Sequence, residues 1–124
     1  MRSINRCVAV VRVKQPFLDW ANSLPDPITG TTLAGINDDC HSYLLPEYEM
    51  MEDRNQILAE FYDDIFVHEL MGWWTDEEAF PKPRSLAMFR KWFDIEFHSM
   101  ALDLIDGEPL EHEDAGDDEN EDRN

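Results

Sequence analysis

Cys7-Val8-Ala9-Val10-Val11-Arg12-Val13 is dominated by β-branched residues and is almost continuously apolar. That is the composition of a central strand covered on both faces. Immediately downstream, Gln15-Pro16 opens a helix, because a proline in the first turn forfeits no hydrogen bond. Phe17, Leu18, Trp20, Ala21 and Leu24 give that helix its apolar side, and Pro25-Asp26-Pro27 stops it. Thr32 caps a short helical turn through Leu33 and Ile36. Ser42 to Tyr48 reads as a second strand, and Pro46 inside it, having no N–H to give a neighbour, places it at a sheet edge.

The longest helix runs from Asp53, a good N-cap, to Met71, with Gly72 at its end. Ile57, Leu58, Phe61, Tyr62, Ile65 and Phe66 share one face at helical spacing, while Glu60, Asp63 and Asp64 occupy the other. Thr75-Asp76-Glu77-Glu78 has the spacing of a capping box for a further short turn, closed by Pro81 and Pro83. Ser85 caps a helix with Leu86, Phe89 and Phe93 on one side, and Ile95 to Leu104 reads as the last strand. The expected fold is α+β: a three-stranded sheet backed by helices in the order β-α-β-α-α-β. The pattern leaves open whether the strands run parallel or mixed.

Residues 1–105 form a single domain on this reading, a size that supports one hydrophobic core. Asp106 to Asn124 is a different material. It holds ten Asp or Glu residues against one base, Arg123, which is half of the net charge of −18. So charged and apolar-poor a stretch cannot offset its ordering entropy by burial, and a disordered acidic tail is expected. The remaining residues are acidic too, with 18 acids against 9 bases. Nucleic acid and anionic membrane surfaces are therefore excluded as partners, since both recruit Lys and Arg. No run reaches the ~18 apolar residues of a membrane span. Met1 to Lys14 lacks the apolar stretch and small-residue cleavage site of a signal peptide. Two cysteines, Cys7 in a strand and Cys40 in a polar segment, make no disulfide framework. The expected compartment is the cytoplasm.

Two segments carry a resemblance. Arg12-Val13-Lys14-Gln15-Pro16-Phe17-Leu18-Asp19-Trp20 with Asn22-Ser23-Leu24-Pro25-Asp26, and Trp92-Phe93-Asp94-Ile95-Glu96-Phe97-His98-Ser99, resemble a group of small acidic bacterial proteins without an assigned activity. The resemblance spans Ile4 to Leu104 and leaves out the tail. It implies a bacterial, cytoplasmic protein and assigns no catalytic residue.

Several side chains have the chemistry for a site. Asp94, Glu96 and His98 alternate along the last strand and so leave one face of the sheet. They are suitable ligands for Zn, Mn or Fe, with His68 or Glu69 as a fourth, although the same three residues also fit a strand's solvent-facing end continued by Met100, Leu102 and Leu104 as core. His68 and Glu69 fall on the buried arc of the long helix, where a carboxylate needs a partner; at the helix end His68 can equally serve the C-terminal dipole. Cys40-His41 and His98-Ser99 are sequence neighbours that point apart in an extended chain, so neither makes a nucleophile–base couple. No phosphate-binding glycine loop or nucleophile elbow occurs, and nothing calls for a cofactor. Arg84, Arg90 and Lys91 give the third helix a positive side for an acidic partner or the tail. Trp73 and Trp74, close to Phe80, cannot both enter one small core with ease: either one is exposed, as tryptophan at interface centres is, or both are covered by Pro81-Lys82-Pro83.

These observations favour a non-enzymatic interaction or regulatory protein over an enzyme. Trp73, Trp74 and Phe80 are the expected apolar anchor, and the acidic surface steers a partner protein with a basic face. One version is mimicry of nucleic acid by Glu60, Asp63 and Asp64. The alternative is a metal-dependent hydrolase built on Asp94, Glu96, His98 and His68.

Overall fold

Cys7–Val13 is the middle strand of a three-stranded antiparallel sheet. The computed structural model describes residues 1–115; Gly116 to Asn124, the far half of the acidic tail, lies outside the described residues. Along the chain the elements are β1 (Arg2–Ser3), β2 (Cys7–Val13), α1 (Gln15–Asn22), α2 (Leu33–Asn37), β3 (His41–Leu45), α3 (Asp53–Met71), a 3-10 turn (Glu77–Ala79), α4 (Leu86–Trp92), β4 (Phe93–His98) and β5 (Leu102–Asp103). The sheet order is β3-β2-β4, and β1 pairs separately with β5. The architecture is α+β, a sheet backed by helices, as the pattern predicts.

The central strand is covered on one face only. Cys7, Ala9, Val11 and Val13 are buried, while Val8, Val10 and Arg12 between them are half-exposed. A near-continuous apolar run thus belongs to a one-sided sheet, and the valines of its open face lie beside Leu44 and the arginine–glutamate pair described below. Register extends the inward face to both neighbours: Ala9 stands opposite Tyr43 and Phe97, and Val11 opposite His41 and Ile95. Beyond the end of β3 an asparagine completes the ladder. Asn37 Nδ2 donates to the Val13 carbonyl at 3.0 Å, and its Oδ1 accepts from the Val13 N–H at 2.8 Å. This pair of hydrogen bonds anchors the end of α2 on β2.

Helix α3 lays Leu58, Ile65, Phe66 and Leu70 on the inward face, where they meet Val11, Val13, Phe17, Phe89 and Phe93. Phe66 and Phe93 sit edge-to-face at 5.1 Å, and Phe89 and Phe93 are 4.8 Å apart, within the range in which aromatic pairs add to simple burial. A smaller cluster of Cys7, Ala9, Leu45 and Ile57 extends the core beneath β3. Burial there raises the Cys7 thiol above its ordinary range. Phe61 and Tyr62, expected within the core face, are only half-buried at its rim. Asp63, expected in solvent, takes both Nε (2.8 Å) and Nη2 (3.3 Å) of Arg84, which also donates to the Pro81 carbonyl. This bidentate pair ties α3 to the segment entering α4.

Boundaries differ for local reasons. Pro46 follows the edge strand instead of lying inside it, so β3 stops at Leu45. Glu52 takes the N-cap position of α3, and Asp53 begins the helix. Asp76, not Thr75, caps the 3-10 turn through Glu78 N–H, whereas Thr32 and Ser85 cap as expected. Phe93 leaves α4 and opens β4 directly, staying buried through the change of period. The last strand breaks after His98. Met100, Leu102 and Leu104, read as core, are 64%, 50% and 63% exposed, because Leu102–Asp103 pairs with Arg2–Ser3 away from the main sheet. From Asp106 to Ala115 the chain is exposed and forms neither helix nor strand.

Candidate functional site

The inward residues of an edge strand meet the last turns of the long helix. His41 and Tyr43 occupy alternate positions of β3 and therefore share its helix-facing side. Glu69 stands one turn beyond Ile65 on the buried stripe of α3, with His68 beside it. Glu69 is 8% exposed and is the buried charged residue among those described. Its carboxylate is met from β3: Oε2 takes the Nδ1 of His41 at 2.6 Å and the hydroxyl of Tyr43. Tyr43 in turn bonds the Nδ1 of His68 at 2.8 Å. The two imidazole centroids are 5.5 Å apart. No buried side-chain nitrogen or oxygen among the described residues is left unpartnered.

The Tyr43 hydroxyl donates to the Glu69 carboxylate, and the Nδ1 atoms of His41 and His68 face Glu69 and Tyr43 respectively. Two imidazoles, a phenol and a carboxylate thus converge on a small volume. The cost of a buried carboxylate is met by two hydrogen-bond partners, His41 and Tyr43. His41, 56% exposed, keeps one flank open to solvent.

A groove of about 860 Å³ runs from this network along β3. Its walls are the consecutive residues Ser42 to Glu47 on one side, and Phe61, Asp64, Ile65 and His68 of α3 on the other. Side chains of alternate strand residues point to opposite faces. Four of the six, Ser42 to Leu45, belong to β3, and strand neighbours of opposite facing line one groove where the strand's outer edge forms part of its wall. Among the described residues no strand pairs with that edge. Asn5 and Arg6 close one end, and Ala115 reaches the groove as well.

The residues singled out in the sequence fall elsewhere. Asp94, Glu96 and His98 do share one face, but it is the open face of the sheet, opposite to the helices. Glu96 takes Arg12 Nη1 at 2.9 Å and His98 Nε2 at 2.5 Å. The His98 hydrogen bond first, then Arg12, lowers the Glu96 carboxyl below the ordinary glutamate range. The charged carboxylate is the form that these contacts favour, and they are released as pH falls through that lowered value. His68 lies across the sheet from these three, bonded to Tyr43, so the four do not form one centre. Phe80, an expected anchor, is 4% exposed in the core, 6.2 Å from Trp20, whose Nε1 donates to the Ala79 carbonyl. Trp73 packs edge-on against Phe17 at 6.4 Å, and Trp74 is half-buried. The basic residues are engaged separately: Arg84 by Asp63, and Arg90 by Asn55 at 3.0 Å.

The sequence pointed to half of the network. Glu69 on a buried arc demands a donor, and the inward positions of the nearest edge strand are where one must stand. Neither His41, beside Cys40, nor Tyr43, within a strand, carries a sequence signal of its own for that role. No protein-family model, curated protein or solved structure matches the chain, so the site is read from its own residues.

Proposed function

We propose that this protein is a non-enzymatic interaction module that captures an extended, basic segment of a partner protein by strand addition to β3. The observation that carries the reading is a groove along the outer edge of β3, walled by Ser42 to Leu45 with Pro46 and Glu47 beyond them on one side and by Phe61, Asp64, Ile65 and His68 of α3 on the other. Strand addition draws affinity from main-chain hydrogen bonds and specificity from pockets for alternate side chains. Half-buried Phe61 supplies the apolar surface, over buried Leu45 and Ile65, and Asp64 and Glu47, both exposed, supply charge at the rim.

The choice of a basic occupant follows from charge. With a net −18 the chain's field attracts cationic segments and repels anionic ones before contact. The five residues of β3 and the proline that follows limit the added strand to a short segment. Trp73 and Trp74 do not line this groove and, like buried Phe80, have no part in this reading. Mimicry of nucleic acid is disfavoured, since Asp63 is engaged by Arg84. No helix among the described residues is long and apolar enough to cross a membrane. The proposed setting is the cytoplasm of a bacterium, in line with the resemblance to small acidic bacterial proteins.

Calorimetric titration with two octapeptides tests this reading. One alternates valine with lysine, the other valine with glutamate. The lysine peptide is expected to bind 1:1 with micromolar affinity, about −8 kcal/mol, weakening as salt is raised. The glutamate peptide is expected not to bind. Equal binding of both, or of neither, contradicts the proposal.

A further inference from the structure

We infer that His41, His68 and Glu69 form a binding site for one divalent transition-metal ion of the zinc type. This goes beyond the strand-addition reading and does not depend on it. Two imidazoles and a carboxylate are the donor set that such ions take, and their ligand atoms all lie within 4.8 Å of one another. A tetrahedral zinc site with metal–ligand distances of about 2.0–2.2 Å separates its ligand atoms by roughly 3.4 Å. The His41–Glu69 pair at 2.6 Å would open by less than 1 Å to reach that separation, a change within the reach of side-chain torsions.

Three further features favour a cation there. The Nδ1 atoms of His41 and His68 face Glu69 and Tyr43. In the neutral tautomer with its hydrogen on Nε2, each ring turns an Nδ1 lone pair toward the region of the Glu69 carboxylate. The Tyr43 hydroxyl stays beside it to hold Glu69, the supporting role that metal ligands commonly require. His68 and Glu69 belong to the last turn of a 19-residue helix, whose C-terminal partial charge is negative. Half-exposed His41 leaves a way in from solvent, while buried Glu69 fixes the inner ligand. Zinc bound here would clasp the edge strand β3 to the end of α3 and so stabilise the fold by linkage.

Calorimetric titration of chelator-treated full-length protein with zinc chloride, followed by thermal melting with and without zinc, tests the site. The chain has four histidines, which makes the controls complete. One zinc per chain is expected, with a rise in melting temperature. His41→Ala and His68→Gln are each expected to weaken binding at least tenfold and to remove that rise, while His98→Ala, His112→Ala and Cys40→Ser leave both in place. His41→Ala alters a half-exposed side chain, so its folding can be verified by circular dichroism. If His68→Gln unfolds, His41→Ala together with the three controls still decides the outcome. No zinc binding by the wild-type protein overturns the inference. So does binding that survives His41→Ala, or binding lost in His98→Ala, His112→Ala or Cys40→Ser.

Discussion

Phe66→Ala is expected to remove about 3–5 kcal/mol of folding stability, the usual cost of emptying a large aromatic site in a close-packed core. Phe66 has no exposed surface and contacts Phe89, Trp92 and Phe93 from the middle of α3. Its removal takes away the α3 ring that touches all three aromatics at the junction where α4 passes into β4. The cavity cannot collapse readily, because three of its walls are rings held by the sheet and by two helices. Phe61→Ala, five residues earlier, is expected to cost less than half as much, since Phe61 is half-buried at the groove. Urea denaturation of the two variants measures the difference. A Phe61→Ala loss equal to or above that of Phe66→Ala would mean that the helix is rotated from the register described.

The same Phe61→Ala change is expected to weaken binding of the valine–lysine octapeptide at least tenfold, about 1.4 kcal/mol. Truncation of an aromatic anchor commonly carries a large share of an interface's energy. Phe61 projects from α3 into the groove opposite the β3 edge, where it would cover the alternate side chains of an added strand. Stability and affinity thus separate along one helix. Phe66 holds the fold and has no part in the groove, whereas Phe61 contributes modestly to the fold and strongly to capture. Undiminished affinity in a folded Phe61→Ala protein would remove the groove from the account.

Most of the fold was legible in the residues. The valine run, the capped stripe of α3 and the edge-marking Pro46 each gave the right element, because local preference and tertiary position agree there. Where the reading failed, pairing partners distant in sequence decided the outcome. Nothing in Ile95 to Leu104 reveals that Leu102–Asp103 is drawn off by Arg2–Ser3, and a strand that looks continuous breaks. One-sided coverage of β2 was equally hidden, since a run of valines does not tell whether helices lie on one face or two. The network at Glu69 was half legible. Helical spacing put the carboxylate on the buried side, but its partners arrive from a strand 28 and 26 residues earlier, and only the register of β3 on β2 brings them inward. Phe80 and Asp63 show the converse. Single-residue chemistry suggested an anchor and a solvated acid, and packing against Trp20 and pairing with Arg84 gave each a structural role.

Hydrogen exchange at the β3 backbone tests the central claim most directly. Amides of alternate residues between His41 and Glu47, those facing away from β2, are expected to exchange rapidly in the free protein and to slow at least tenfold when the valine–lysine octapeptide saturates it. An added strand gives each of these N–H groups a carbonyl partner. Amides already bonded to β2 should change little, and those of β4 not at all. A peptide that binds while every amide from His41 to Glu47 keeps its free-state exchange rate would contradict strand addition.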